Sequence, residues 1–210
     1  MARHERLGSV LEEFTDADRE AVAAQLGRVP RAVVGVGYRC PCGKPAVLAT
    51  EGRLPDGTPF PTTYYLTCPR ATAACSRLES TGRMVRFTAE LAADPELAAA
   101  YRAAHESYLA DRASWTPESV PEIEHVSAGG MPDRVKCLHA LAAHSLAVGP
   151  GVNPIGDRTV AEIGEFWAPP CLPEYGSGAS KAGTSEAGTS AAGHGQAGHE
   201  EPVVEVEGET

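Results

Sequence analysis

A chain of 210 residues, 42% of them hydrophobic, can bury one core without disulfides but hardly two. Its formal net charge of −10, with no basic stripe to displace phosphate counterions, argues against nucleic acid as a partner. No stretch approaches the roughly 18 to 20 apolar residues of a membrane span, and the first residues lack a signal peptide's apolar run, so a cytoplasmic protein without membrane insertion is expected.

Thr15-Asp16-Ala17-Asp18 caps an alanine-rich segment, which predicts a short helix ending at Gly27. Pro30 separates it from the β-branched run 32–38, a strand, and 46–50 reads as a second strand after a turn at Gly43. The turn-rich link Leu54-Pro55-Asp56-Gly57-Thr58-Pro59 leads to a third strand over 62–67. Three sequential strands with short connections imply an antiparallel meander. Pro69 fits the first turn of a helix reaching Gly82, and another follows from about Val85 to Ala92. Asp94-Pro95-Glu96 caps a longer helix carrying Leu97, Tyr101, His105, Tyr108 and Leu109. Residues 114–130 read as loop. Pro132 and Asp133 are expected to open a helix over 133–148, and 159–166 is a last short helix. The expected fold is therefore α+β: a small antiparallel sheet of about three strands packed against several helices, in one domain over residues 8–170.

Past Pro169 the composition changes. From Leu172 onward seven glutamates face a single base, Lys181, within a run of Gly, Ala, Ser and Thr. Such a segment cannot bury enough apolar area to offset its ordering entropy, so residues 171–210 are expected to form a disordered acidic tail.

The chemistry lies in the thiols and imidazoles. In a reducing compartment the cysteines at 40, 42, 68, 75, 137 and 171 are expected as free thiols, which favours metal ligation or catalysis over a disulfide framework. The leading expectation is a buried Cys/His site for zinc or an iron–sulfur cluster, built from Cys40, Cys68 and Cys137 and completed by Cys42, His139 or His144. Cys40 and Cys68 follow the first and third strands, whose C-terminal ends share one edge of a meander, and a helix start bearing Cys137 would bridge them. Helical geometry restricts the partners of Cys137: His139 lies about 200° around a regular helix, and His144 about 10 Å along its axis. The competing structural reading packs these cysteines as small apolar side chains and His144 as a hydrogen-bonded core histidine. Cys75 and Cys171 carry no signal of their own.

A second expectation is an enzyme pocket for an anion or phosphate, with Arg39, Arg134 and Lys136 around a Cys137 nucleophile near free helix amides. A third is a structural or interaction module with no metal. The sequence names no reaction and no partner.

Tyr38-Arg39-Cys40-Pro41-Cys42-Gly43, Leu54-Pro55-Asp56-Gly57, Tyr65-Leu66-Thr67-Cys68-Pro69, Ser76-Arg77-Leu78-Glu79 and Gly149-Pro150-Gly151-Val152-Asn153-Pro154 form a series. With Gly129-Gly130-Met131-Pro132-Asp133-Arg134-Val135-Lys136-Cys137-Leu138-His139, this series closely resembles the domain of unknown function 501 family, from about Ala17 to Asp157. The resemblance implies a small bacterial, mostly actinobacterial protein, and no established activity. Arg39, Cys40, Cys68, Cys137, His139 and His144 fall within its motif blocks, whereas Cys75 and Cys171 fall outside them.

Overall fold

The first helix opens on Thr15. Its hydroxyl and the Asp18 carboxylate cap each other reciprocally at the start of α1 (Asp16–Leu26), which Gly27 ends in the left-handed region at φ 68°. The computed structural model describes residues 11–116, 118–168 and 170–172. Most of the tail expected over 171–210 lies outside these residues.

Three strands follow α1: β1 (Val33–Arg39), β2 (Pro45–Thr50) and β3 (Tyr64–Leu66). They pair antiparallel in the order β1-β2-β3, with Val36 opposite Leu48 and Val47 opposite Leu66. The meander read from the sequence is the observed topology. Every residue of β2 is buried, because alternate side chains meet a core on each side of the sheet. One core joins Val36 and Leu48 to Val22 of α1. The other holds Val47, Tyr64 and Leu66 with the remaining helices. The free edge of β1 is covered by the segment before α1, where Glu12 and Val36 exchange backbone hydrogen bonds of 3.0 and 2.9 Å.

The helices of the larger core are α2 (Pro69–Ser80), α3 (Arg83–Ala93), α4 (Pro95–Trp115), α5 (Leu138–Val148) and α6 (Pro154–Ile163), with a 3-10 turn at Pro121–Ile123. Pro69, Pro95 and Pro154 each occupy a first turn, where a missing donor costs nothing. Helix α6 starts five residues earlier than the sequence reading had it. The Asn153 side chain accepts from the Gly156 amide and so acts as its cap.

Helix α5 is apolar on most of its circumference and packs against the sheet, α2 and α6. It begins at Leu138, not at Asp133 as the sequence predicts. Residues 128–137 instead form a turn-rich loop in which the Met131–Pro132 peptide is cis. Gly129 and Gly130 hold φ of 73° and 94°, and a Cβ on Gly130 would sit 2.6 Å from the Arg134 carbonyl oxygen. Only glycine fits there without moving backbone. This loop delivers Cys137 to the mouth of α5.

At the opposite side of the sheet, Arg39 donates to both Asp18 carboxylate oxygens at 2.7 and 2.9 Å and to Glu12 at 2.6 Å. Hydrogen bonding to Arg39 holds the Asp18 carboxyl far below the usual carboxylate range. A depressed carboxyl pKa adds stability that is present above the unfolded value of 3.8 and is lost as pH falls through the folded one. Asp18→Ala removes this ion pair and the carboxylate half of the capping box, leaves the Thr15 hydroxyl on the residue-18 amide, and is expected to cost about 1–3 kcal/mol. Urea unfolding at pH 7 measures it, and the difference from the unsubstituted protein should shrink below pH 3.8.

Candidate functional site

Cys137 is the residue immediately before α5 and is extended, with φ −154° and ψ 111°. The regular-helix geometry that sets positions 137 and 139 on opposite faces therefore does not apply. Cys137 Sγ and His139 Nδ1 come to 3.8 Å. Glu79, near the end of α2, completes the group: its Oε1 is 3.1 Å from His139 Nδ1 and accepts from the Leu138 amide at 2.6 Å. A carboxylate at that amide also meets the positive end of α5.

The other side of the imidazole fixes its tautomer. His139 Nε2 lies 3.1 Å from the Thr72 carbonyl oxygen and 3.1 Å from Ser76 Oγ. A carbonyl only accepts, so Nε2 carries a hydrogen and donates it. Nδ1 is then the nitrogen aimed between a sulfur and a carboxylate oxygen. Two potential anions and one lone pair share a point, and that arrangement calls for a cation there: a proton or a metal ion.

The titration behaviour follows from this arrangement. Its hydrogen bond to Cys137 raises His139 to about 9, against the opposing effect of burial, and the Glu79 charge adds to the rise. Burial pushes the Cys137 thiol up, but His139 and the Ala140 amide outweigh it and leave the thiol below its ordinary value. Cys75, buried on α2 beside them, is pushed up to about 12 by desolvation and stays a neutral thiol. Among the described residues, Glu79, Cys137 and His139 are the one group of three whose donor atoms all lie within 4.8 Å of one another.

Cys40, Cys68 and Cys137 are not brought together within 4.8 Å in this way. Cys40 and Cys68 do sit at one end of the sheet, as the meander requires: Cys40 closes the turn after β1, and Cys68 precedes α2. Cys42 and Cys171 meet there, with sulfurs 3.4 Å apart. Burial would raise the Cys42 thiol, but the Lys44 and Cys171 amides bring it down to about 7. Cys171, assigned to the tail from composition, is 7% exposed and belongs to the larger core.

His144 lies elsewhere. It is fully buried, stacked on Tyr64 and edge-on to Tyr108, with Nδ1 3.2 Å from Asn153 Nδ2. Burial holds its pKa at about 4, so it is a neutral core histidine. Arg134 and Lys136 are exposed on the loop before α5, and Arg39 is engaged by Asp18 and Glu12. A cleft of about 300 Å³ between α4 and the segment after it is lined by Leu109, Arg112, Ala113, Thr116, Val120 and Glu124, none of them among these groups.

The sequence matches the family described as Protein of unknown function (DUF501) over residues 36–161. The chain belongs to the DUF501 family. No curated protein and no solved structure matches it. The DUF501 match contains Glu79, Cys137 and His139, together with Cys40, Cys42 and Cys68, and stops short of Cys171.

Glu79 is the member of this group that reading the sequence missed. It stands in the Ser76-Arg77-Leu78-Glu79 block, three residues after a serine that also touches His139. That spacing puts both on one helix face, which was the available signal.

A raised imidazole pKa stabilises the fold fully below the unfolded value of 6.5, and this contribution is lost as pH rises through about 9. Nitrogen-15 NMR of the imidazoles should show one ring titrating near 9, and Glu79→Gln should move that midpoint back toward 6.5. A ring that titrates near 6.5 in both proteins would contradict the assignment.

Proposed function

We propose that Glu79, Cys137 and His139 bind a single zinc ion and leave one coordination position open to solvent or substrate. The observation that carries this reading is the convergence of His139 Nδ1, Cys137 Sγ and Glu79 Oε1 on one point, with Nε2 committed to the Thr72 carbonyl. A ligating histidine whose other nitrogen donates to a backbone carbonyl is the usual arrangement around zinc. Around a tetrahedral zinc, nitrogen–oxygen and nitrogen–sulfur separations are about 3.3 and 3.6 Å. The corresponding distances of 3.1 and 3.8 Å need shifts of only a few tenths of an ångström.

The donor set selects among metals. One thiolate is too few for an iron–sulfur cluster, which takes four cysteines or two cysteines with two histidines. Sulfur, nitrogen and oxygen together suit zinc. The His139 and Glu79 side chains are 24% and 22% exposed, so the group is reachable from solvent. Three protein ligands with solvent access is the pattern of zinc sites that activate water or polarise a carbonyl, whereas purely structural sites close with four. Bound zinc would supply that Lewis acidity. In this chain, Thr72 and Ser76 would hold the imidazole, and the Leu138 amide would hold the carboxylate.

A second reading keeps the proton in place of the metal. His139 would then be an imidazolium beside a Cys137 thiolate, a pairing that activates thiol nucleophiles. The lowered Cys137 and raised His139 favour it, and it keeps the enzyme alternative open. Arg134 and Lys136 remain exposed cations on the neighbouring loop, within reach of an anionic substrate by sequence position alone.

Zinc titration of protein purified under reducing conditions separates the two. Zinc should release the proton of His139 and abolish the imidazole transition near 9, and Cys137→Ser should weaken binding at this site by about 10-fold or more. An imidazole that still titrates near 9 in saturating zinc would favour the proton-bridged reading instead.

A further inference from the structure

Four thiols gather at the end of the sheet where β1 turns into β2 and β3 leads into α2. Cys40 and Cys42 flank the turn between β1 and β2, in which the Gly43 amide donates to the Cys40 carbonyl at 2.8 Å and the Cys40 amide to the Lys44 carbonyl at 2.9 Å. Cys68 stands at the start of α2, and its own amide faces the Ala46 carbonyl of β2 at 3.4 Å. Cys171 arrives from beyond α6, its sulfur accepting from Gln25 Nε2 at 3.4 Å. The same Gln25 nitrogen donates to the Pro45 carbonyl at 2.9 Å, which ties the group to β2.

Cys40, Cys68 and Cys171 are buried in the larger core and Cys42 packs against it, an open set of neighbours. Cys42 lies 3.4 Å from Cys171 and interacts with Cys40 across the turn, while Cys68 is near enough to act on the charge of both Cys40 and Cys171. The Cys42 amide faces Cys40 sulfur and the Lys44 amide faces Cys42 sulfur. Amides two residues apart in one turn can each face a thiolate there, while the Gly43 amide between them serves the Cys40 carbonyl. The set is looser than the Glu79 group, since no three of its sulfurs all lie within 4.8 Å of one another. Adjacent sulfurs on a tetrahedral zinc are about 3.8 Å apart. The Cys42–Cys171 pair already sits near that value, and binding would have to draw Cys40 and Cys68 in toward it.

We propose that Cys40, Cys42, Cys68 and Cys171 hold a second zinc ion, closed by four thiolates and structural in role. It would fasten three places that the backbone joins only distantly: the β1–β2 turn, the junction of β3 with α2, and the chain after α6. Cys171 is the unexpected member. It comes 10 residues after the end of the DUF501 match, yet it is buried in the core that those residues build. Its sulfur meets that of Cys42 at 3.4 Å. A closed four-sulfur shell has no open position, so this site would not share the chemistry of the Glu79 group.

The test uses the full chain, prepared with reductant and without oxygen, and zinc alone as the probe. The unsubstituted protein is expected to hold about two equivalents of zinc, and Cys171→Ser and Cys137→Ser are each expected to hold about one. Cobalt substitution of Cys137→Ser should give the strong absorption of a tetrahedral tetrathiolate, and Cys171→Ser should lose it. Should a variant fail to fold, iodoacetamide mapping of the unsubstituted protein decides: zinc should protect Cys40, Cys42, Cys68 and Cys171 as a set. Alkylation of those four at equal rates with and without zinc would overturn the proposal. So would a Cys42–Cys171 disulfide forming as readily in saturating zinc as without it, or an iron–sulfur chromophore at these residues. Failure at the Glu79 group leaves the tetrathiolate signal intact, so the two assignments stand or fall separately.

Discussion

The donation from His139 Nε2 to the Thr72 carbonyl is the interaction on which the site's chemistry turns. It commits one ring nitrogen to a backbone acceptor and so commits the other to face Glu79 and Cys137. Had the ring been free to turn, Glu79 and Cys137 would form an ordinary surface pair with a histidine nearby. With it fixed, a sulfur, an oxygen and a nitrogen lone pair are held against one another, and their mutual repulsion is relieved only by a cation.

The scaffold around this contact is rigid for reasons that belong to the core. Helix α5 is buried along most of its length, and Leu138 and Leu141 are fully enclosed. Helix α2 brings Thr72, Ser76 and Glu79 to one face. The relative position of the two helices therefore sets the distance between carboxylate and imidazole. Gly129 and Gly130 then shape the loop that places Cys137 in an extended conformation, one residue before helical geometry would turn it away. A site on two packed helices and a backbone-locked loop is preorganised without help from the ligand.

Much of the fold was legible in the sequence because its signals were local. Turn residues at Gly43 and at 54–59 bounded β-branched runs, and Pro69, Asp94 and Thr15 marked helix starts that the structure bears out. The errors came where tertiary contacts decide. Pro132-Asp133 has the composition of a helix start, but the paired glycines before it and the cis peptide at Pro132 belong to a turn. The start expected at 159 overlooks Asn153-Pro154, because asparagine followed by proline is a cap and first turn.

The site was legible only in part. Cys137 and His139 were picked out by type, and then separated by an argument valid inside a regular helix and inapplicable at its edge. Glu79 and Cys171 were passed over because a lone carboxylate on a helix and a cysteine beside a low-complexity segment carry no signal by themselves. Their meaning comes from partners 58 or more positions away in the chain, at Cys137 and Cys42. The most direct test of the central claim is anomalous diffraction at the zinc edge from crystals of the zinc-loaded protein. A peak about 2.0–2.3 Å from His139 Nδ1, Cys137 Sγ and a Glu79 carboxylate oxygen is the predicted result. A peak on His139 Nε2, or no density between these three side chains at full zinc occupancy elsewhere, would contradict it.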